Sequence, residues 1–322
     1  MKEIIINKAQ EGQTIYKFIK KYLSDAPLSF IEKLFRIKDV KVNGVRVNKS
    51  TIIHEGDVIK IYITDDQLSQ FNKPVDIALI KNKPNIIFED ENILICNKPS
   101  GLLVHGDEKE KRLTLSNIVL SYLYQKGEFN PREKGFIPSP AHRIDRNTSG
   151  IVIFGKNISS LHTLENLFKE KTFIHKYYLA LVNGKLEKGG EITLPLLKNE
   201  ETGIVSVTPI EQGGKNARTI FSIKERLDLY TLVEAEIVTG RTHQIRVHFA
   251  SIKHPLLGDG KYGNYSANRY FEKEYGYTGQ FLHAYKVKFD HIEGLLSYLS
   301  NKTFICPLGE KEENILTKIR NK

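Results

Sequence analysis

Residues 142–154 read HRIDRNTSGIVIF, a charged motif followed by a polar turn and an apolar run. Asp145 lies between Arg143 and Arg146, and positive charge nearby favours the ionised form of a carboxyl group. The arginines also suit phosphate, because each planar guanidinium group can bind two oxygen atoms at once. This segment therefore predicts one permanent carboxylate within a phosphate-binding surface, with Asp145 at its centre.

The composition agrees with a polyanionic partner. The chain has 48 Lys and Arg against 38 Asp and Glu, which gives a formal net charge of +10. Such a surplus favours the capture of polyanions such as nucleic acids. The alternative is a soluble protein that is merely basic, which charge alone does not exclude. The 322 residues leave room for a sizeable core and predict two domains.

The sequence also indicates which classes of protein to exclude. The first apolar stretch, residues 4–6, is too short for a signal peptide, and no run approaches the ~20 apolar residues of a membrane span. Cys96 and Cys306 have no metal-type spacing. We therefore expect a cytoplasmic protein with reduced thiols and no membrane association, and a monomer by default.

Residues 13–63 predict a small N-terminal domain. Apolar residues at helical spacing indicate a helix from Ile15, and a second helix is expected from Ser29, where Glu32 completes the pattern of a capping box. Alternating residues around Asn43-Gly44 give the strongest short signal for a β-hairpin. The segment contains ten Lys or Arg and five Asp or Glu, half of the excess positive charge of the chain.

This order of elements, with VKVNGVRVNKSTIIHEGDVIKI at residues 40–61, resembles an S4 domain, a compact RNA-binding module. The Arg-Leu-Asp common early in the first helix of that domain is replaced here by Thr14-Ile15-Tyr16. The alternative is a small domain that binds nothing, which the clustered charge disfavours. The resemblance implies RNA contacts from the cations of this domain, namely Lys17, Lys20, Lys21, Arg36, Lys41 and Arg46.

Residues 64–84 have weak periodicity and several turn signals, which together predict a linker. After it, strands and helices alternate as in an α+β domain with a mixed sheet, rather than a doubly wound one. We predict an S4-like domain over residues 1–70, a linker over 71–84 and a second domain over 85–322. Helices are expected at 114–124 and 159–168, and long strands at 173–182, 219–224 and 230–237.

Two further segments combine polar residues without an evident role in the core. Residues 175–184, HKYYLALVNG, predict a strand with Tyr177 and Tyr178 on opposite faces. A tyrosine that points into a cleft can stack on a base and move a proton. Residues 239–249, TGRTHQIRVHF, predict a short helix that Thr242 can cap, with Arg246 free to pair with a carboxylate.

Metal and nucleotide sites are not expected. His243 and His248 are five residues apart and lack the HExxH pattern and supporting cysteines of a zinc site. The glycine-rich segments at 213–215 and 258–263 do not have the GxxxxGK[ST] form, which argues against binding of ATP or GTP.

Several motifs resemble, in order and spacing, those of the RluA-type pseudouridine synthases. They are NILICNKPSGLLVH from residue 92, HRIDRNTSGIVIFGKN from 142, HKYYLALVNG from 175, TGRTHQIRVHFASIKHPLLGDGKYG from 239 and QFLHAYKVKF from 280. With the S4-like segment, the resemblance covers nearly the whole chain. LPLLKN, TIFSIKER and the longer insertion between Tyr262 and Phe281 look most like the C subtype, which modifies large-subunit (23S) ribosomal RNA.

The resemblance implies the pseudouridine synthase fold, a large mixed, mostly antiparallel sheet decorated by helices, and isomerisation of uridine without a cofactor. Asp145 matches the catalytic carboxylate that acts at the ribose, either by attacking C1′ or by removing the C2′ proton. Tyr178 matches the active-site tyrosine, and Arg246 matches the arginine that pairs with the aspartate. Arg143 matches the residue that replaces the flipped uridine in the stack. Further RNA contacts are expected from His142, Arg146, Arg241 and His243.

The motif departs from the family's common pattern at two positions, with Ile144 and Asn147 where Leu and Asp are common. Both changes are mild, since bulk is kept at one position and a hydrogen-bonding oxygen at the other. The alternatives are a non-catalytic RNA-binding or ribosome-assembly factor and a synthase directed at transfer RNA. A glycoside hydrolase would need a matched second carboxylate, which the sequence does not offer.

Overall fold

The structure, a computed structural model, describes residues 1–74, 80–108, 110–170 and 172–322. Strands and helices are mixed along these residues, so the α+β prediction is confirmed. The helices are α1 (Ile15–Tyr22), α2 (Leu28–Arg36), α3 (Asp65–Phe71), α4 (Leu115–Gln125), α5 (Ile158–Glu170), α6 (Gln244–Ser251), α7 (Tyr265–Tyr275) and α8 (Glu310–Arg320).

The strands are β1 (Lys2–Ile5), β2 (Val40–Val42), β3 (Val45–Arg46), β4 (Val58–Ile61), β5 (Asn85–Glu89), β6 (Ile93–Lys98), β7 (Ser139–Pro140), β8 (Ser149–Gly155), β9 (Ile174–Asn183), β10 (Gly190–Ile192), β11 (Leu196–Lys198), β12 (Val205–Val207), β13 (Thr219–Arg226), β14 (Tyr230–Ile237), β15 (Leu282–Phe289) and β16 (Thr303–Ile305). The helices and long strands predicted after residue 85 are therefore confirmed to within a few residues.

An antiparallel sheet in the order β1-β4-β2-β3 packs with α1 and α2 at the N-terminus. Thr14 caps α1 by accepting a hydrogen bond from the Lys17 amide. Asn43 and Gly44 both have positive φ, 51° and 80°, which is the backbone that a two-residue hairpin turn requires. The predicted hairpin is confirmed, and its turn residues explain why it forms there.

The capping box predicted at Ser29 and Glu32 was wrong. Helix α2 begins at Leu28 after Pro27, which has no side chain that can cap it. The Glu32 carboxylate accepts from the Tyr16 hydroxyl and pairs with Lys49. The capping box lies at Thr64, which accepts from the Gln67 amide and begins α3 inside the segment predicted as a linker.

Phe71, at the end of α3, packs against Phe30, so burial of an aromatic pair orders this part of the segment predicted as a linker. The linker prediction for residues 75–79 lies outside the described residues.

The large sheet has ten strands within the part of the chain that the structure describes, eight of them in the order β10-β13-β14-β9-β15-β8-β6-β5. Strand β9 is antiparallel to both β14 and β15. Strands β15 and β8 are parallel where His283 pairs with Ser149. The prediction of a large mixed, mostly antiparallel sheet is confirmed.

The chain divides into two compact units. One contains Met1–Ile95, His105–His142 and Ile153–Asn166, and the other contains Cys96–Val104, Arg143–Val152 and Leu167–Lys322. The three predicted catalytic residues all belong to the second unit. The domain boundaries at residues 70 and 85 stay a prediction.

Two further features of the described residues bear on the protein's class. Cys96 and Cys306 are both free thiols in buried positions. No helix in the described ranges is both long enough and apolar enough to cross a membrane.

Candidate active site

Asp145 lies in the loop directly before β8, where its backbone carbonyl accepts a hydrogen bond from the Thr148 amide at 3.1 Å. Its side chain is 22% exposed, so solvent or a ligand can reach the carboxylate. Oxygen Oδ2 accepts a hydrogen bond of 2.9 Å from Nη1 of Arg246, which is on α6. The structure therefore brings together two residues that lie 101 positions apart in sequence.

A second carboxylate anchors Arg246. Asp259 Oδ2 accepts from Arg246 Nε at 2.7 Å, and Oδ1 accepts from Nη2 at 2.8 Å. The Asp259 side chain is 0% exposed, and Oδ1 also accepts from the backbone amides of Lys261 and Tyr262. Such a bidentate pair fixes the plane of the guanidinium group and leaves Nη1 directed at Asp145.

The contacts between Arg246 and the two aspartates keep these side chains charged. Burial alone would raise the pKa of Asp259, but the hydrogen bonds and positive charge of Arg246 outweigh it and hold the pKa below its ordinary value. Burial alone would lower the pKa of Arg246, but Asp259 first and Asp145 second raise it. Arg246 therefore stays a cation between two carboxylates.

His243 lies beside the same oxygen of Asp145, with Nε2 at 3.8 Å from Oδ2. Its other ring nitrogen, Nδ1, is 2.8 Å from the hydroxyl of Tyr262, and that hydroxyl accepts a hydrogen bond from the Val205 amide at 2.8 Å. The Arg246 guanidinium also lies over the Tyr262 ring, 5.1 Å from its centroid. His243 and Tyr262 thus complete the surroundings of the Asp145–Arg246 pair.

The N-terminus of α6 differs from the prediction. His243 itself precedes the helix with φ 54° and makes no side-chain cap, so the expected cap by Thr242 was wrong. The side chain of Gln244 accepts from the Arg241 amide and the Thr239 hydroxyl instead. These bonds hold the turn that directs His243 towards Asp145.

Tyr178 lies on β9 and is buried, with 6% of its surface exposed. Burial raises the pKa of its phenol, and the negative charge of Asp145 raises it further. The phenol is therefore protonated at neutral pH, and Asp145 is close enough to act on it electrostatically.

Lys98, at the end of β6, is fully buried and ties the Asp145 loop to its surroundings. Its ammonium group donates to the backbone carbonyls of Pro99, Leu102 and Arg146, at 2.9, 2.7 and 2.9 Å. Burial lowers the pKa of Lys98 to about 7, and the charge of Asp145 acts in the opposite direction. The lysine therefore fixes the backbone next to Asp145.

The other predicted RNA contacts near the motif fall into two groups. Arg143 and Arg146 are exposed, as residues that meet a large ligand must be. His142 Nε2 accepts from the Ile153 amide at 3.2 Å, and Arg241 Nε donates to the Asn216 carbonyl at 2.9 Å. These two side chains therefore take part in holding the backbone.

The predicted contacts of the N-terminal domain are accessible. Lys17, Lys20, Lys21, Arg36 and Arg46 are exposed, while Lys41 is half-buried with its ammonium 5.1 Å from the centre of the Tyr62 ring. Arg36 and Arg46 line one groove together with Lys38 and Lys49. Within the described residues, no group of three or more His, Cys, Asp or Glu side chains could hold a metal ion.

Comparison with known proteins identifies the chain. A family model described as RNA pseudouridylate synthase matches residues 92–251. A Vibrio vulnificus protein named ribosomal large subunit pseudouridine synthase C is 35% identical over 321 residues, or 98% of this chain and 95% of that protein. The chain belongs to the RNA pseudouridylate synthase family. This synthase is thus an isomerase, as the motifs predicted.

Two other matches are consistent with this assignment. A Mycoplasma capricolum protein named uncharacterized RNA pseudouridine synthase is 34% identical over 95% of this chain and 97% of its own length. The solved structure of human RNA pseudouridylate synthase domain containing 4 covers 73% of the synthase and 93% of that chain, with a TM-score of 0.59 and 21% identity. That structure has the same fold, and the prediction of the fold family is confirmed.

Sequence reasoning missed three residues of this site, Lys98, Asp259 and Tyr262. Asp259 and Tyr262 lie in the segment GDGKYG, which lacks the form of a nucleotide-binding loop but ends the family-like motif that starts at residue 239. Asp259 lies between two glycines inside a family-like motif, and this pattern could have indicated a functional acid. Lys98 gave none, because an isolated lysine next to proline is usually exposed.

Proposed function

We propose that this synthase converts uridine to pseudouridine in the RNA of the large ribosomal subunit, with Asp145 as the catalytic residue. The observation that carries the proposal is the Asp145–Arg246 pair, an accessible carboxylate oriented by an arginine that a buried aspartate holds in place. A protein that only binds RNA has no need for such a costly arrangement of charges. The printed name of the Vibrio vulnificus relative supports the large subunit as the source of the substrate.

The reaction breaks the bond between N1 of the base and C1′ of the ribose, and forms a bond between C5 and C1′. Positive charge develops at C1′ during cleavage, and a carboxylate is the group that stabilises or captures such a centre. The uridine has to leave its stack first, at a cost of a few kcal/mol. We propose that the exposed Arg143 fills the gap and that Arg146 binds phosphate, with Arg241 and His142 supporting the loops beside them.

We propose that Tyr178 stacks on the uracil and assists loss of the C5 proton. Because its phenol is protonated, it would act as a hydroxyl that passes the proton on, not as a preformed phenolate. Tyr178→Phe is expected to slow isomerisation by on the order of 10²-fold with little change in RNA affinity. Single-turnover rates measured with saturating enzyme test this, and a near-normal rate would leave only the stacking role.

We propose that the N-terminal domain, residues 1–70, is an S4-like RNA-binding module. Its accessible cations support this, in particular Arg36 and Arg46, which share one groove. Lys17, Lys20, Lys21 and Lys41 extend the same positive charge over the domain.

Replacing Arg36 and Arg46 by glutamine is expected to weaken RNA binding and to reduce the slope of log K against log salt by about 1.4 to 1.8, because each phosphate contact releases counterions. The matched control is Lys185→Gln with Lys318→Gln, which removes the same charge elsewhere in the chain. Equal slopes for the two double variants would contradict a role for the groove.

The RNA target is tested by mapping pseudouridines in ribosomal and transfer RNA from a deletion strain, by chemical modification and primer extension. We expect one or more sites in 23S RNA to disappear and to return with the wild-type gene. Loss confined to transfer RNA would favour the alternative target. We also propose a cytoplasmic monomer, and a dimer mass in light scattering would contradict the oligomeric state.

A further inference from the structure

His243 lies beside the catalytic carboxylate but has no role in the proposed reaction. Its Nε2 faces Oδ2 of Asp145 at 3.8 Å, and the same oxygen accepts the hydrogen bond from Arg246. Among the described residues, no hydrogen bond to Oδ1 of Asp145 is found. The two oxygens of the carboxylate are therefore unlike each other, with one held by the protein and the other available.

The contacts of Tyr262 favour one tautomer of the neutral imidazole. The Tyr262 hydroxyl accepts from the Val205 amide and can donate its own proton to Nδ1 of His243, which lies 2.8 Å away. Burial raises the pKa of Tyr262, which keeps that proton on the hydroxyl. A neutral imidazole that accepts at Nδ1 carries its hydrogen on Nε2. The Nε2–H group therefore points to the side of Asp145.

The backbone supports a specific purpose for this residue. His243 has φ 54°, in the left-handed region, which residues other than glycine adopt uncommonly. That conformation turns the ring towards Asp145 instead of using the position to cap α6. Uncommon backbone conformations cluster at functional sites, and here the conformation accompanies a side chain that lies beside Asp145.

We infer that His243 is a positioning residue whose Nε2–H group holds Oδ2 of Asp145 and thereby leaves Oδ1 as the oxygen that faces the ribose. The separation of 3.8 Å is longer than a hydrogen bond, and contacts of catalytic groups commonly tighten when the substrate binds. The inference deepens the proposed function and rests on Asp145 being the catalytic carboxylate. Tyr262 acts one step further away, because it sets the tautomer.

The charges around His243 favour the neutral imidazole. Burial lowers its pKa, and while Asp145 opposes that effect, the positive charges of Arg246 and Lys261 reinforce it. Protonation as the pH falls below 6.5, the ordinary pKa of histidine, places a hydrogen on Nδ1 and breaks the bond donated by Tyr262. The groups that face the ring are Asp145, Arg246, Asp259, Lys261 and Tyr262.

Two variants of the full chain test the roles of the two ring nitrogens separately. In His243→Asn the amide oxygen can take the place of Nδ1 and accept from Tyr262, and asparagine tolerates the left-handed backbone, but nothing reaches Asp145. In His243→Gln the amide N–H₂ reaches the position of Nε2. We expect the asparagine variant to lose about 10- to 100-fold in kcat with an unchanged KM, since a hydrogen bond to a charged group is lost. The glutamine variant should lie closer to the wild type.

The dependence of kcat on pH distinguishes this role from a merely structural one, because a structural histidine would not change the acidic limb of the profile. The wild type should lose kcat as His243 is protonated on the acidic side, because the imidazolium keeps its Nε2–H group but its positive charge offsets the negative charge that Asp145 offers to C1′. His243→Gln, which has no imidazole, should retain its activity to lower pH. Thermal unfolding of both variants checks that each is folded at the assay temperature.

A wild-type kcat for His243→Asn, or equal losses in both variants with the acid limb unmoved, would overturn the inference. The proposed function fails in a different way, namely if Asp145→Asn still forms pseudouridine. The inference fails alone if Asp145→Asn is inactive while His243→Asn is normal.

Discussion

Asp145→Asn is expected to lower the rate of isomerisation on the order of 10⁴-fold, while RNA affinity changes little. Asparagine keeps the shape of the side chain but removes the negative charge that meets the developing cation at C1′. Arg246 keeps its position because Asp259 holds its Nε and Nη2 independently of Asp145. The variant therefore removes the reactive group without releasing the residue that orients it.

The measurement combines single-turnover pseudouridine formation with a binding assay on the same RNA. Asp228→Asn is a matched control, because Asp228 is an exposed acid that pairs with Lys185. Pseudouridine formation by Asp145→Asn at a rate near that of the control would remove Asp145 from the catalytic role. A large loss of affinity in Asp145→Asn alone would mean that the carboxylate serves binding.

Predictions of the long elements succeeded where an apolar run extends over most of one strand or helix. The strand predicted at residues 230–237 matches β14, and the helix at residues 114–124 matches α4 within one residue. Most residues of β14 and of α4 are buried, on more than one face. An apolar run with the length of one strand or helix is a local property, so the sequence displays it directly. The Asn43-Gly44 turn was equally visible, because few residues accept its backbone conformation.

Helix ends were predicted less well, for a physical reason. Ser29 and Glu32 have the residue types of a capping box, but Glu32 bonds to Tyr16 and Lys49, which lie 16 and 17 residues from it in sequence. Thr242 likewise has the right type for a cap, yet the turn at His243 is held by Gln244. Whether a side chain caps a helix depends on the other hydrogen-bond partners within its reach, and the sequence alone does not show which partners those are.

The site was predicted in part for the same reason. Arg246 could be proposed as a partner of Asp145 because the family motif relates them. Asp259 holds Arg246, and Lys98 holds the backbone beside Asp145; both side chains are buried. Their partners are brought to them by the fold. Only the folded chain shows that a carboxylate with no exposure holds the arginine and that three carbonyls hold the lysine.

Asp259→Asn is expected to lower the free energy of unfolding by about 3–5 kcal/mol, because it leaves the buried Arg246 cation without its main partner. The amide cannot substitute for the carboxylate in either orientation. Oδ1 accepts from Arg246, Lys261 and Tyr262, and Oδ2 accepts from Arg246. An N–H₂ group at either position would face another donor.

Denaturant unfolding monitored by circular dichroism measures the effect, with Glu191→Gln as a matched control. Glu191 and Arg218 form a bidentate pair of the same geometry, with Nε–Oε1 2.8 Å and Nη2–Oε2 2.9 Å, but the pair is exposed. Solvent screens exposed pairs, so its loss should matter far less. Folded Asp259→Asn should also lose kcat, because Arg246 no longer orients Asp145. Equal stability of the two variants would show that Arg246 does not depend on Asp259, and the proposed orientation of Asp145 would need another source.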